Sequence, residues 1–342
     1  MSTSTDTSLT TSEKSKQIKL TEESAVDLCV VIVNYNTESL LAPMWDALML
    51  ARRSLTLQVI VVDNASRDGS VALLHKDSRF EHASIIANAT NVGFGRANNQ
   101  CLPTARGRYF LLLNTDAFVA PDTLESTVDY MDANPQFGVL GVQLVGSDGA
   151  AQPSCRYFPT PWNVFLARSG LSRFFPRVQM VDDASWDHAS PRSCDWVTGC
   201  YFLIRREVVE QVGLFDPRFF LYCEEVDLCR RVKQAGWGVV FFNGTKVVHL
   251  GGESAKSEGP VTAGGQQISA LQIESELLYF RKHHGLVGML TFVMLSWLSD
   301  FIDAAKGLIK GRGLPALKLI SQHARAVGAT LLKTRFGTAP TR

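Results

Sequence analysis

Two adjacent carboxylates stand near the middle of the chain, directly before a helical pattern. Glu224 and Glu225 lie in the stretch 219–237, FFLYCEEVDLCRRVKQAGW, in which apolar residues return at spacings of three and four. This periodicity predicts an amphipathic helix that begins with acids. Glu225 falls on the apolar side of this helix, in line with Leu228, Cys229 and Val232. A carboxylate in such surroundings has a raised pKa and can accept a proton, although acids in a first helical turn also favour the helix dipole without any catalytic role.

The next acid of this helix, Asp227, is expected to be neutralised rather than reactive. Arg230 and Arg231 follow it by one helical turn, and residues at this spacing are neighbours on a helix surface. Asp227 is therefore predicted to pair with these arginines.

Polar residues also follow several apolar strands at the point where each strand ends. Nearly continuous apolar runs at 27–33, 57–62, 84–87 and 108–113 are typical of strands buried on both faces of a parallel sheet. Because the carboxyl ends of such strands share one edge, the side chains that follow them converge on one crevice. These side chains are Asn34, Asp63, Asn91, Asn114 and Asp116. Taken singly, an Asn or Asp at a strand end is more simply explained by a turn or a helix N-cap.

The first strand–helix turn argues against a dinucleotide-binding enzyme. The segment 34–39 reads NYNTES and contains no glycine. The glycine-rich backbone that cradles a pyrophosphate in Rossmann oxidoreductases is therefore missing. The pattern predicts an α/β protein with a mostly parallel sheet flanked by helices, but it disfavours a dehydrogenase.

Asp116 and His249 are candidate ligands of a hard divalent cation. Asp116 follows the most hydrophobic strand, where a carboxylate is hard to explain unless it binds a positive group, and His249 ends a later predicted strand. A divalent ion held by one or two carboxylates and a substrate diphosphate suits such a place. The alternatives are a helix cap ahead of a helix at 121–133 for Asp116, and a structural role for His249.

Composition indicates a globular protein with a large core. The chain has 342 residues, 46% of them hydrophobic, and a formal net charge of +1. Seven cysteines are scattered without a CxxC pair, which fits a reducing cytosol. Residues 1–25 are polar throughout and lack an apolar segment, so we expect a disordered tail rather than a signal peptide.

The C-terminal region combines an apolar run with a basic arm. Residues 286–298 are apolar, a run too short to span a bilayer, and after Asp303 the chain has eight basic residues and no acid. Such a pattern fits contact with a membrane surface of anionic lipid, but it fits equally a helical pair packed on the core. Nucleic-acid binding is not expected, because the basic arm lacks interleaved aromatics apart from Phe336.

Seven segments in order resemble one enzyme family. They read VIVNYN at 31–36, VVDNASRDGS at 61–70, NVGFGRANN at 91–99, LLLNTDA at 111–117, GCYFLIRREV at 199–208, the central stretch, and VVHLGGES at 247–254. The chain resembles the inverting glycosyltransferases of family 2, which have the GT-A fold, and within them the bacterial rhamnosyltransferase-like branch. The resemblance implies a catalytic domain at 26–285 and leaves 286–342 as a C-terminal helical extension.

The resemblance also implies roles for the candidate residues. Asn34 and Asp63 would line the pocket for the nucleotide base and ribose, and Asn91 and Arg96 would lie near the diphosphate. Asp116 is similar to the last acid of the family's DXD motif and His249 to a metal-binding histidine of part of the family, which together imply Mg²⁺ or Mn²⁺. Glu225 matches the second acid of the ED motif, the general base, with Glu224 as the fallback. The chain departs from the pattern at Asn114, which replaces the first acid of DXD, and at Glu225, which replaces the usual Asp.

These expectations combine into one predicted function. The resemblance implies an inverting transfer of a sugar, rhamnose from dTDP-rhamnose, from a nucleotide-sugar donor to a lipid-linked or polysaccharide acceptor, at the cytoplasmic face of the membrane. The alternative is a non-catalytic sugar-nucleotide or glycan-binding module on the same fold, which the departures at Asn114 and Glu225 keep open.

Overall fold

The structure, a computed structural model, describes residues 26–181, 186–251, 270–309 and 313–342. The predicted disordered tail at 1–25 and the end of the last family motif, 252–254, lie outside these residues. The strands are β1 (Leu28–Asn34), β2 (Leu57–Asp63), β3 (Ser84–Ala87), β4 (Tyr109–Asn114), β5 (Ala117–Val119), β6 (Phe137–Val145), β7 (Ala151–Gln152), β8 (Cys155–Arg156), β9 (Arg192–Cys194), β10 (Trp196–Val197), β11 (Tyr201–Arg205) and β12 (Gly238–His249). The helices are α1 (Glu38–Ala51), α2 (Ser70–Lys76), α3 (Phe94–Asn99), α4 (Thr123–Ala133), α5 (Pro161–Ser169), α6 (Arg206–Val212), α7 (Glu224–Gln234), α8 (Ala270–Ile309) and α9 (Gly313–Lys333).

One mixed sheet forms the centre of the molecule. Its main strand order is β3-β2-β1-β4-β11-β6-β12-β5. The first four strands are parallel, β11 is inserted antiparallel between β4 and β6, and β6 and β12 run parallel to each other. This confirms the predicted α/β fold with a mostly parallel sheet flanked by helices.

Both faces of the sheet are buried, as the continuous apolar runs predict. Alternate residues of β1 enter two separate cores, since successive side chains of a strand point to opposite faces. Val30 and Ile32 pack with α1 and α4, whereas Cys29 and Val31 pack with α7. Strands β1, β2 and β4 end at the same edge of the sheet, because Asn34 pairs in register with Asp63, and Val33 with Asn114. The sheet therefore gathers the predicted polar residues at one edge.

The C-terminal helices form a third core. Helix α8 breaks at Gly285, whose φ of 68° and ψ of −170° suit only glycine. Phe280 and Phe292 stack across this break with ring centroids 4.3 Å apart, and both lie in a buried cluster with residues of α5, α7 and α9. The C-terminal helices thus pack on the body of the protein along one face.

Helix α8 is longer than the apolar run suggests. Counting only 286–298, the sequence predicts a segment too short to span a bilayer. In the part of the chain that the structure describes, Ala270–Ile309 is the one helix long and apolar enough to do so by length and composition. The helix is longer than the apolar run because it continues beyond both of its ends, across the break at Gly285.

Candidate active site

Helix α7 begins on a strained turn that places two glutamates at its first positions. Tyr222 and Cys223 have φ values of 72° and 64°, in the left-handed region that favours glycine. Such backbone conformations cost of order 1–3 kcal/mol and cluster at functional sites. The apolar side of the helix is buried, as predicted, since Leu228, Cys229 and Val232 are fully buried. This packing fixes the helix axis and hence the position of Glu224 and Glu225.

Glu225 faces the loop that leads into β11. A β-carbon at position 199, which is glycine, would lie 3.9 Å from Glu225 Cβ and 4.0 Å from its Oε1. The other carboxylate oxygen, Oε2, is buried and has no hydrogen-bond partner among the described residues. Burial raises the pKa of Glu225, while its own backbone N–H and the positive charge of Arg156 act in the opposite direction. A desolvated carboxylate with an unused oxygen is a group that can accept a proton.

Glu224 lies deeper, beneath the first turn of α3. Its side chain is buried, and its Cβ would be 3.7 Å from a β-carbon at position 95, where the chain has glycine. Its Oε2 also lacks a partner among the described residues. Burial raises the pKa of Glu224 well above the ordinary value, and the negative charge of Glu225 raises it further. Glu224 is therefore held more firmly in the protonated form than its neighbour.

Asp116 and His249 face each other across the sheet edge. Asp116 Oδ1 lies 3.6 Å from His249 Nε2. Their backbones are joined as well, because the Leu250 N–H donates to the Asp116 carbonyl and His249 pairs with Ala117 where β12 meets β5. The structure thus brings together the two predicted metal ligands, which are 133 positions apart in the sequence.

Gln152 sets the protonation pattern of His249. Gln152 Nε2 donates to the His249 carbonyl at 2.9 Å, so its Oε1 is the atom that lies 2.9 Å from His249 Nδ1. An oxygen can only accept, so Nδ1 carries a proton, and in the neutral ring Nε2 keeps a lone pair. Two acceptors, His249 Nε2 and Asp116 Oδ1, then face each other, an arrangement that suits a cation between them.

Cys200 connects this pair to Glu225. Burial raises the pKa of the Cys200 thiol most, and the negative charges of Asp116 and Glu225 raise it further. Glu225 packs against the residue before this cysteine, because its side chain lies 4.0 Å from a β-carbon built at position 199. Asn114, the residue in place of the first DXD acid, is joined to the same point because its backbone N–H donates to the Cys200 carbonyl at 3.0 Å. The candidate base and the candidate metal ligands thus belong to one site.

Asn34 and Asp63 form the buried floor beside this site. Asn34 Nδ2 donates to Asp63 Oδ2 at 2.7 Å and to Ser66 Oγ at 3.0 Å, and Asp63 Oδ1 accepts from the Ser66 backbone. Thr37 Oγ1 donates to Asn34 Oδ1 at 2.7 Å and lies 2.9 Å from Thr115 Oγ1. The network joins the carboxyl ends of β1, β2 and β4. It includes Thr115, the residue before Asp116.

Asn91 and Arg96 are hydrogen-bonded to groups outside the Asn34–Asp63 pair. Asn91 Oδ1 accepts from Asn64 Nδ2 and from the Gly93 N–H, so it shapes its own loop. The Arg96 guanidinium donates to the backbone carbonyls of Pro217 and Arg342. Neither side chain reaches the Asp116–His249 pair, so their expected contacts with a diphosphate stay predictions.

The described residues supply two ligands for a metal. No group of three or more His, Cys, Asp or Glu side chains with suitable spacing occurs in the described ranges. Two protein ligands and a diphosphate are nevertheless a usual set for Mg²⁺ or Mn²⁺, which keep several positions for water and substrate. The facing acceptors of Asp116 and His249 therefore fit a metal that is completed by the donor.

The predicted pairing of Asp227 is only half correct. Asp227 is fully buried and bonds to Arg231 Nε at 2.9 Å, but Arg230 turns to Tyr279 Oη and His284. The remaining partners of Asp227 are Lys282 and His283 of α8. Helical spacing could not reveal them because they come from a distant part of the chain.

Two residues of the site escaped the sequence analysis. Gln152 contacts His249 only because the short strand β7 folds back on β6, and Arg156 influences Glu225 from β8, which pairs with β10. Neither lies in a motif or in a periodic pattern. The register that places Gln152 beside His249 cannot be predicted from a strand of two residues.

Comparison with known proteins decides the family. The model of the family "Glycosyl transferase family 2" matches residues 29–213, more than half of the chain. The chain belongs to glycosyltransferase family 2. This agrees with the strand order, with the polar residues at its carboxyl edge, and with the predicted GT-A fold. The resemblance to the rhamnosyltransferase-like branch is confirmed by the relatives that follow.

Two curated relatives carry rhamnosyltransferase names. The N-acetylglucosaminyl-diphospho-decaprenol L-rhamnosyltransferase of Mycobacterium tuberculosis is 28% identical over 239 residues, which cover 65% of this chain and 75% of the relative. Rhamnosyltransferase WbbL of Escherichia coli is 26% identical over 181 residues, covering 50% of this chain and 66% of the relative. Among solved structures, the mannosyltransferase PcManGT from Pyrobaculum calidifontis, in complex with GDP-Man and Mn²⁺, is similar with a TM-score of 0.48 and 17% identity, covering 94% of this chain and 92% of that one.

Proposed function

We propose that this glycosyltransferase moves L-rhamnose from dTDP-rhamnose to a lipid-linked acceptor with inversion at the anomeric carbon. The sugar and the acceptor class follow the name of the M. tuberculosis relative. The observation that carries the chemistry is that Glu225 packs against Gly199, whose neighbour Cys200 is hydrogen-bonded to the backbone of Asn114, two residues before Asp116. The proton acceptor and the cation ligands then belong to the same site. A displacement at a sugar diphosphate requires both, because a proton must be removed from the acceptor and the leaving diphosphate must be stabilised.

Glu225 acts as the base. An acceptor hydroxyl attacks the anomeric carbon, the bond between that carbon and the diphosphate oxygen breaks, and the hydroxyl proton passes to Glu225. A carboxylate in this role contributes about 10²- to 10⁴-fold to the rate. One base without an enzyme nucleophile gives a single displacement and hence inversion. The raised pKa of Glu225 suits this task because it brings the base closer to the operating pH.

The donor lies along the carboxyl edge of the sheet. Asn34 and Asp63 shape the pocket for base and ribose, Asn114 lies beside the diphosphate, and Asn91 and Arg96 lie near it. Asp116 and His249 would hold Mg²⁺ or Mn²⁺, which neutralises the charge that develops on the leaving diphosphate. Gln152 orients His249 for this purpose by fixing its tautomer.

We place the enzyme on the cytoplasmic side of the membrane. All seven cysteines lie in the described residues, and none of them is paired in a disulfide. This agrees with a reducing compartment, and a lipid-linked acceptor would be met at the membrane surface there.

A donor panel tests the proposal. Release of nucleoside diphosphate is measured with dTDP-, UDP- and GDP-sugars, with and without Mn²⁺, in the presence of membrane lipid extract. We expect release from dTDP-rhamnose that requires lipid and is lost in Asp116→Ala, whereas Asp129→Ala, a change on the exposed side of α4, retains it. Nucleotide binding without release from any donor would contradict the proposal and favour a non-catalytic binding module.

A further inference from the structure

The second half of α8, residues 286–309, carries an exposed row of large apolar side chains. Val287, Met294 and Phe301 are 77%, 67% and 69% exposed. They follow each other at intervals of seven residues and share one side of the helix with Leu290, Trp297 and Leu308, all of them exposed. An apolar row of this length is unusual on the surface of a soluble monomer.

The opposite side of the same helix half is fixed to the protein. Met289, Phe292 and Val293 are buried in the third core. Ser296 accepts a hydrogen bond from Arg168 of α5 at 3.2 Å, and Asp300 pairs with His323 of α9 at 2.8 Å. The helix half therefore lies against the body along its length, with its apolar row facing outward.

An exposed aromatic patch lies on α5 and the turn after it, and α5 contacts α8. Trp162, Phe174 and Phe175 are 45%, 62% and 43% exposed, and Trp162 and Phe175 meet edge to face. The patch lies next to α8 because Arg168 of α5 pairs with Glu276 at 2.7 Å and the Lys306 ammonium bonds to the Ser169 carbonyl. Aromatic side chains beside basic ones are typical of surfaces at a membrane–water boundary.

The described end of the C-terminal region adds exposed basic side chains to this part of the molecule. After Asp303 the sequence has eight basic residues and no acid. Near the end of α9 the exposed Leu332 and Phe336 alternate with the exposed Lys333 and Arg335. Each basic residue near an anionic bilayer contributes about 1 kcal/mol of attraction, so this region favours anionic lipid strongly.

We propose that the apolar row of α8, the aromatic patch and the basic C-terminal region together form a surface that lies in the interface of a bilayer containing anionic phospholipid. A second copy of the chain is a poorer occupant, because pairing two such surfaces would bring the two basic regions together. A membrane-spanning arrangement would require α8 to leave its contacts with α5 and α9. The inference is independent of the donor and of the base, since it rests on this surface alone.

Vesicle flotation of the full chain tests the proposal. We expect the protein to float with vesicles that contain phosphatidylglycerol, to float poorly with pure phosphatidylcholine, and to be released from the anionic vesicles by salt. The triple variant Val287→Gln, Met294→Gln, Phe301→Gln should bind at least about a hundredfold more weakly, because it loses three apolar side chains from the interface. Leu50→Gln is the matched control, since Leu50 is 65% exposed on α1, and it should bind like the wild type.

Three results would overturn the inference. The triple variant could bind vesicles as tightly as the wild type, or the wild type could resist both salt and alkaline extraction as a spanning protein does. The wild type could also fail to bind while sedimenting as a dimer that the triple variant abolishes, which would assign the row to a second copy. Circular dichroism of all variants confirms that folding is retained, and no donor is needed, so failure here leaves the proposed reaction untouched.

Discussion

At the scale of single residues, the neighbouring carboxyl groups of Glu224 and Glu225 differ in how readily they ionise. Each has a raised pKa because of burial, but Glu224 also feels the charge of Glu225, whereas Arg156 helps to keep Glu225 ionised. Two coupled acids in one place do not ionise with equal ease. Glu225 is thus the better candidate for the base, and Glu224 is the carboxyl group that is held more firmly in the protonated form, beneath the first turn of α3.

The pH dependence of stability should reveal the neutral Glu224. Its pKa in the folded protein lies well above the ordinary value of 4.5, so between these two values the folded state holds a proton that the unfolded state has lost. Stability from this group is full below the ordinary pKa and is lost as the pH rises, by about 1.4 kcal/mol per pH unit within that window. Glu224→Gln cannot lose this proton, so its unfolding free energy relative to wild type should increase with pH above 4.5. Urea unfolding across that range measures it, with Glu210→Gln, an exposed change on α6, as the control; parallel curves for Glu224→Gln and wild type would contradict the assignment.

Gln152 should control metal affinity through His249. Gln152→Leu removes the acceptor that holds the proton on His249 Nδ1, so the ring is free to rotate or to change tautomer. Loss of such a partner weakens metal binding by about 10- to 100-fold. Electron paramagnetic resonance of Mn²⁺ in the presence of dTDP measures this directly. Gln136→Leu, an exposed change, should have no effect, and an unchanged affinity in Gln152→Leu would refute the role of Gln152.

At the scale of elements, α7 is positioned by a buried ionic cluster as well as by its apolar side. Asp227 joins Arg231 of its own helix to Lys282 and His283 of α8, and Lys282 also pairs with Asp216. Burial opposes the charged form of Asp227, but the hydrogen bond from His283 and the charges of Arg231 and Lys282 outweigh it and lower its pKa. These ion pairs hold α7, which carries the proposed base, against α8, which carries the apolar row.

Removing Asp227 should be costly because it leaves buried cations without a partner. Asp227→Ala is expected to destabilise the protein by about 3–5 kcal/mol. Asp303→Ala removes an exposed pair with Lys306 and should change stability by less than about 1 kcal/mol. The depressed pKa of Asp227 also means that its contribution is present above an ordinary aspartate pKa and is lost as the pH falls. Urea denaturation measures both variants, and similar losses in the two would contradict a structural cluster at Asp227.

The break in α8 should depend on glycine at position 285. A β-carbon there would meet no atom within 4 Å, so the cost of Gly285→Ala is the backbone conformation alone, about 1–3 kcal/mol. Gly328 lies inside α9, also with nothing within 4 Å and without a positive φ. Gly328→Ala should therefore stabilise the protein by about 0.5–1 kcal/mol through helix propensity. Thermal unfolding distinguishes the two changes, and stabilisation by Gly285→Ala would show that the break is not required.

At the scale of the whole molecule, the sequence predicts the features that are local and leaves out those that depend on long-range register. The apolar runs predict the parallel strands, and the polar residues after them predict which edge carries the site, so Asn34 and Asp63 meet as expected. The helical spacing around Glu225 likewise predicts which side of α7 is buried. These predictions succeed because each pattern has one structural solution.

The missed features come from pairings between distant segments. The antiparallel insertion of β11 between β4 and β6, the contact of Gln152 with His249 and the ties from α8 to Asp227 all need the folded sheet to exist first. The hydrogen bonds from Arg96 to the carbonyls of Pro217 and Arg342 are likewise contacts that no motif encodes. Sequence patterns identify the residues of the site, whereas tertiary contacts decide their partners.

Inversion by a single base, Glu225, is the central claim, and the turnover of Glu225→Gln tests it most directly. Release of dTDP from dTDP-rhamnose is measured for the wild type, Glu225→Gln and Glu225→Asp, together with the affinity of each for dTDP. We predict that Glu225→Gln loses about 10²- to 10⁴-fold in turnover with dTDP affinity retained, while Glu225→Asp, which keeps a carboxylate, retains most activity. Normal turnover in Glu225→Gln would contradict the claim and transfer the role of base to another residue.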